Sequence, residues 1–136
     1  MVEITVDYEG GLHTRSLHGP SQSVVETDAP VDNHGRGEAF SPTDLVAGGL
    51  GCCMLTVMGI LAERHDWPLA GTKARVEKHM VADPIRRIGR LVVELSFADA
   101  LPDESRKPLV RAAETCPVRE SLHPDIEVDL HVRWPA

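Results

Sequence analysis

Between Leu45 and Ala62 the chain carries no charged residue, an uncharged run of roughly 18 positions that belongs in a protein core or a bilayer. The run sits inside SPTDLVAGGLGCCMLTVMGILAERHDWP, residues 41–68, and its borders read as helix ends. Ser41 suits the N-cap and Pro42 the first helical position. Asp44 completes a variant of the capping box and faces the positive end of the helix dipole. Glu63, Arg64, His65 and Asp66 close the run, and Pro68 stops it. A spanning helix fits the length but little else. Gly48, Gly49, Gly51 and Gly59 each cost about 1 kcal/mol of helix propensity relative to Ala. One basic flank and the aromatic anchors at both ends are missing. The segment therefore reads as the central core helix, with glycines that let strands or a second helix approach its backbone.

The rest of the chain supplies what such a helix would pack against. Its 136 residues predict one domain, residues 1–136, and the 42% hydrophobic and 26% charged content is that of a soluble globular protein. A net charge of −7 argues against nucleic acid or an anionic membrane as partner. Met1 to Gly10 alternates and carries Glu3, Asp7 and Glu9, so it does not read as a signal peptide. Three cysteines, an odd count without an export signal, predict a cytoplasmic protein in which a disulfide is chemical rather than structural.

In order, Val2–Glu9 puts Val2, Ile4, Val6 and Tyr8 on one face and acids and Thr5 on the other, the pattern of a half-buried strand. Gly10-Gly11 is a hairpin turn, Leu12–His18 the return strand and Ser23–Thr27 a third strand. Asp28–Phe40 is a turn-rich loop leading into the helix. Thr72–Val81 and Arg87–Phe97 form a hairpin about Asp83-Pro84, with Leu91, Val93 and Leu95 on one face. Pro102-Asp103-Glu104 opens a second helix with Leu109, Val110, Ala112 and Ala113 on its buried side. Pro117 starts a short third one through Leu122, and Ile126–Val132 is the last strand. This order predicts an α+β domain, an antiparallel sheet packed on helices.

As an isolated pair, Cys52 and Cys53 read as buried small apolar residues. Cys116 alters that balance. It precedes Pro117, so its sulfur would meet the free N–H groups of a helix N-terminus, which favour a thiolate. Cys52 and Cys53 lie more than two turns inside their helix and would need a cation, such as an arginine, for activation. Successive helical residues diverge by about 100°, so only one of the pair can point a given way. Zinc fits poorly, since there is no C-x-x-C and no histidine spacing beside the cysteines; no metal and no cofactor are expected. A serine hydrolase has no G-x-S-x-G elbow to support it.

Two motifs, SPTDLVAGGLGCC before a long apolar helix and TCPVRESL before a terminal alternating strand, resemble the OsmC/Ohr superfamily of thiol peroxidases. The likeness covers nearly the whole chain in element order. The loop DAPVDNHGRGEAFSPTDL is more similar to the OsmC-like branch than to the Ohr branch. The resemblance implies an intertwined homodimer whose sheet wraps around two central helices, with sites at the subunit boundary. It also implies Cys53 as the peroxidatic cysteine and Cys116 as the resolving one, Cys52 being an extra. The Cys53 thiolate would attack a hydroperoxide, Cys116 would condense with the sulfenic acid, and an external dithiol would reduce the disulfide. Leu50, Met54, Val57 and Met58 are candidates to line an alkyl pocket. The family's glutamate position is Thr43 here, which leaves Asp44 and Glu38 as nearby acids. Arg36, as in OsmC members, or Arg15, as in Ohr members, would supply the cation. Two rival readings keep the fold without turnover: a redox sensor or small-molecule-binding dimer, and a structure with three inert cysteines.

Overall fold

The computed structural model describes residues 1–135 and contains six strands and three α-helices. The backbone clusters into two compact units, residues 1–46 and residues 47 onward, within the span predicted from composition as one domain.

The first unit is a meander of β1 (Ile4–Gly10), β2 (His13–His18) and β3 (Val24–Asp28), each antiparallel to the next. Gly10 and Gly11 both have positive φ, the conformation a two-glycine turn accepts without strain. A 3-10 turn at Val31–Asn33 follows, and α1 (Pro42–Arg64) begins at the end of this unit. The apolar face of β1 departs from the half-buried expectation. Ile4, Val6 and Tyr8 are 59%, 56% and 67% exposed, so that face lies open among the described residues.

The second unit holds the core. The helix α1 continues through it and buries Ala47, Leu50, Gly51, Met54, Met58 and Ala62, one stripe at intervals of three and four. Against the stripe lie β4 (Lys73–Val81), β5 (Arg87–Ser96) and β6 (Glu127–Arg133), with α2 (Asp103–Glu114) and α3 (Pro117–Ser121) between β5 and β6. Leu91, Val93 and Leu95 are fully buried, as the alternation in β5 predicts. On α2 the buried residues are Ser105, Leu109 and Ala113, while Val110 and Ala112 are only partly covered. Helix α1 meets the length and apolarity of a membrane span, with 33% of its apolar window buried inside the protein.

Two expectations need correction. The strands do not make one antiparallel sheet but two sheets of three, and β6 runs parallel to β5. The connection through α2 and α3 is long enough to return the chain to the starting end of the sheet, which a parallel neighbour requires. The helix glycines also divide. A Cβ at Gly51 would stand 3.0 Å from Val76 and 3.6 Å from Ala74, so β4 approaches the helix there. Gly49 and Gly59 have nothing within 4 Å of the same point and face open space.

Candidate active site

The local sequence sets the start of α1. Ser41, 2% exposed, accepts the Asp44 backbone N–H on Oγ at 3.1 Å, and Asp44 Oδ2 accepts the Ser41 N–H at 2.9 Å. This reciprocal pair is a capping box with aspartate in place of glutamate. Thr43, at the glutamate position of the family motif, has its hydroxyl 3.2 Å from that of Ser41. The cap and the 3.6-residue period then aim the two cysteines differently. Cys52 is exposed, and Cys53 is half-buried against the core of the second unit.

Cys116 ends the loop after α2 and is the N-cap residue of α3, with Pro117 in the first helical turn. Its side chain is fully buried among the core residues. The packing of α3 in the core of the second unit brings its sulfur close enough to Cys53 for the two thiols to interact. Two thiols far apart in the sequence thus meet, and both are free.

Their electrostatics differ from the sequence-based expectation. Burial pushes the Cys116 thiol above its ordinary range. The N–H groups of Arg119 and Val118 pull in the other direction, as a helix N-terminus should, but more weakly. The hydrogen bond and charge interaction with Cys53 add to the upward push. Burial thus favours the thiol form of Cys116. A five-residue helix contributes little field, and a fully desolvated sulfur feels the loss of water first.

The other candidates lie in the first unit. Arg36 is exposed in the loop before α1, its guanidinium near the Gly11 turn, where its charge acts on Asp28. Arg15 is exposed on β2, across the ladders from Asp7 and Glu26. Asp44 is engaged in the helix cap, and Glu38 is exposed and donates its backbone N–H to Asp28 Oδ2 at 3.0 Å. Leu50, Met54 and Met58 have no exposed surface and are core, not pocket wall. The pairing of His13 with Asp28 has no local signal; the two stand opposite each other only because β2 and β3 pair in that register.

Residues 35–131 match the OsmC family, described as OsmC-like protein. No curated protein sequence matches the chain. Among solved structures it is similar to a protein of Psychrobacter arcticus 273-4, provisionally described as an osmotic stress induced and detoxification response protein. The two are 45% identical over 97% of this chain and 96% of that one, with a TM-score of 0.92. An organic hydroperoxide resistance protein OsmC from Legionella pneumophila shares the fold at 19% identity and a TM-score of 0.78, over 98% and 96% of the two chains. An organic hydroperoxide resistance protein from Elizabethkingia anophelis does so at 17% and 0.75, over 99% and 96%.

Proposed function

This chain belongs to the OsmC-like family, and on that premise we propose that it is a cysteine-based peroxidase of a reducing, cytoplasmic compartment. It reduces organic hydroperoxides or hydrogen peroxide, with Cys53 as the attacking sulfur and Cys116 as the resolving one. The observation that carries this reading is the contact between the two thiols, one half-buried and one fully buried. The detoxification description of the Psychrobacter protein agrees with it in kind.

The roles follow from burial. Cys53 retains access to solvent, so it is the sulfur a peroxide can reach. It attacks the distal oxygen; an S–O bond forms, the O–O bond breaks, and the leaving alkoxide takes a proton to become alcohol or water. Sulfur has given up two electrons and is now sulfenic acid. Cys116, already in contact, attacks that sulfur; the S–S bond forms and water leaves with the Cys116 proton. An external dithiol then restores both thiols through a mixed disulfide. The cation that holds the Cys53 thiolate is an arginine of either subunit, for which the family motif offers Arg36 or Arg15, and Asp44 acts through the cap that fixes the start of α1.

The working form is a homodimer and the whole chain one functional domain. Support comes from the open apolar face of β1 and from Ile60, 50% exposed on α1. Thr43 in the place of the family's acid favours a second reading, an OsmC-fold redox sensor that is oxidised once and turns over slowly.

The test is peroxide consumption with a dithiol reductant, wild type against Cys53→Ser and Cys116→Ser. Activity should vanish in Cys53→Ser. Cys116→Ser should consume one equivalent and stop at sulfenic acid, detectable by mass. Full recycling in Cys116→Ser would refute the resolving role, and stoichiometric oxidation of the wild type without turnover would select the sensor.

A further inference from the structure

At the turn end of the β1–β2 hairpin, Nε2 of His13 meets two carboxylate oxygens, a position that either a proton on His13 or a cation can fill. Glu9 Oε1 is 3.6 Å and Glu26 Oε1 3.2 Å from His13 Nε2. The ligand atoms of the three residues all lie within 4.8 Å of one another. The other ring nitrogen is already committed: His13 Nδ1 is 2.5 Å from Oδ1 of Asp28, whose side chain is 5% exposed. Asp28 Oδ2 in turn accepts the Glu38 N–H. With Nδ1–H donated to the buried Asp28 carboxylate, a neutral His13 would present its Nε2 lone pair to the two glutamate oxygens. A cation at that position would replace the proton that bonds His13 to Glu26.

We infer that Glu9, His13 and Glu26 form a binding site for a divalent transition cation of the zinc type, with Asp28 as the carboxylate that orients the histidine. Zinc bonds of 2.0–2.2 Å in a tetrahedron place neighbouring ligand atoms roughly 3.4 Å apart, and the two distances to Nε2 bracket that value. A histidine that ligates a metal through one nitrogen commonly donates the other N–H to a carboxylate, the role Asp28 has here. Imidazole among the ligands favours zinc, copper, iron or nickel over calcium and magnesium. The glutamates are 46% and 54% exposed, so a cation can enter and the side chains can close on it. Three protein ligands leave a fourth position for water. Arg15 and Arg36 stand at the rim and weaken the site relative to a closed structural zinc centre. A bound cation clasps β1, β2 and β3 together and, through Asp28, fixes the start of the loop that follows β3. The site contains no cysteine and is independent of the peroxidase reading.

The test is titration of the reduced, chelator-treated protein with Co²⁺ and Zn²⁺ at mildly alkaline pH. About one cation per chain should bind, with visible cobalt bands of a nitrogen–oxygen site and no sulfur-to-cobalt charge-transfer band. Binding should persist when Cys52, Cys53 and Cys116 are all replaced by Ser. Glu9→Gln and Glu26→Gln, both at exposed positions that leave the fold intact, should weaken it about tenfold or more. Asp28→Asn should weaken it roughly 10–100-fold. Failure of both metals to bind at millimolar concentration, binding that disappears with the cysteines, or binding that Glu26→Gln leaves unchanged would each overturn the assignment.

Discussion

Cys116 illustrates how burial overrides a helix end. The backbone N–H groups at the start of α3 pull its proton affinity down, yet desolvation dominates and raises it. In the reduced protein Cys116 should resist alkylation by a small reagent at neutral pH and gain reactivity only above the ordinary thiol range, near 9.0. Peptide mapping after iodoacetamide treatment across pH would show it. Comparable labelling of Cys116 and exposed Cys52 at neutral pH would contradict the assignment. The same raised proton affinity suits a resolving thiol, which must stay protonated until its partner has been oxidised.

At the level of elements, two local devices carry predictions. The Ser41–Asp44 box holds the first turn of α1. Ser41→Ala should cost about 1 kcal/mol, a fall in midpoint of roughly 4 °C in a chain of this size. Thermal unfolding followed by circular dichroism measures it. The second device joins β2 to β3. The hydrogen bond to Asp28, with help from Glu26, raises His13 above 6.5; the hydrogen bond from His13, with the Glu38 N–H behind it, lowers Asp28 below 3.8. A raised histidine stabilises fully below its ordinary value and loses that contribution as pH climbs through the raised one. A lowered aspartate stabilises above its ordinary value and loses that contribution as pH falls through the lowered one. With chelator present, the pair should therefore stabilise most between pH 3.8 and 6.5 and fade on the alkaline side. In His13→Gln the alkaline decline should flatten; an unchanged decline would show that another group causes it.

For the whole molecule, the open surfaces are the informative ones. The first unit leaves Ile4, Val6 and Tyr8 on one face of β1 more than half exposed, apolar area of the kind that marks an interface, and in the second unit Ile60 is 50% exposed. Light scattering should give about twice 14.9 kDa, and Val6→Asp should shift the population toward monomer with loss of peroxidase turnover. A wild-type monomer at micromolar concentration would remove the dimer from the proposed function. The open face also explains why β1 is exposed despite its strict alternation. Alternation specifies that one face is apolar, not that the covering layer comes from the same chain.

Much of the architecture was legible because it is written in short-range pattern. Period two marked β1, β4, β5 and β6, and the capping residues marked α1. The Cys-Pro step marked the start of α3, and the two cysteine motifs together indicated the family. These features depend on neighbours within a few positions, where backbone geometry leaves few choices. Tertiary structure alone decided the parallel seat of β6, the division of the strands into two sheets, and which helix glycine meets a strand. It also set the burial that raises the Cys116 thiol and the register that gathers Glu9, His13, Glu26 and Asp28 on one three-stranded sheet. Each of these depends on segments distant in the chain, and sequence pattern records what a residue prefers, not which distant residue it meets.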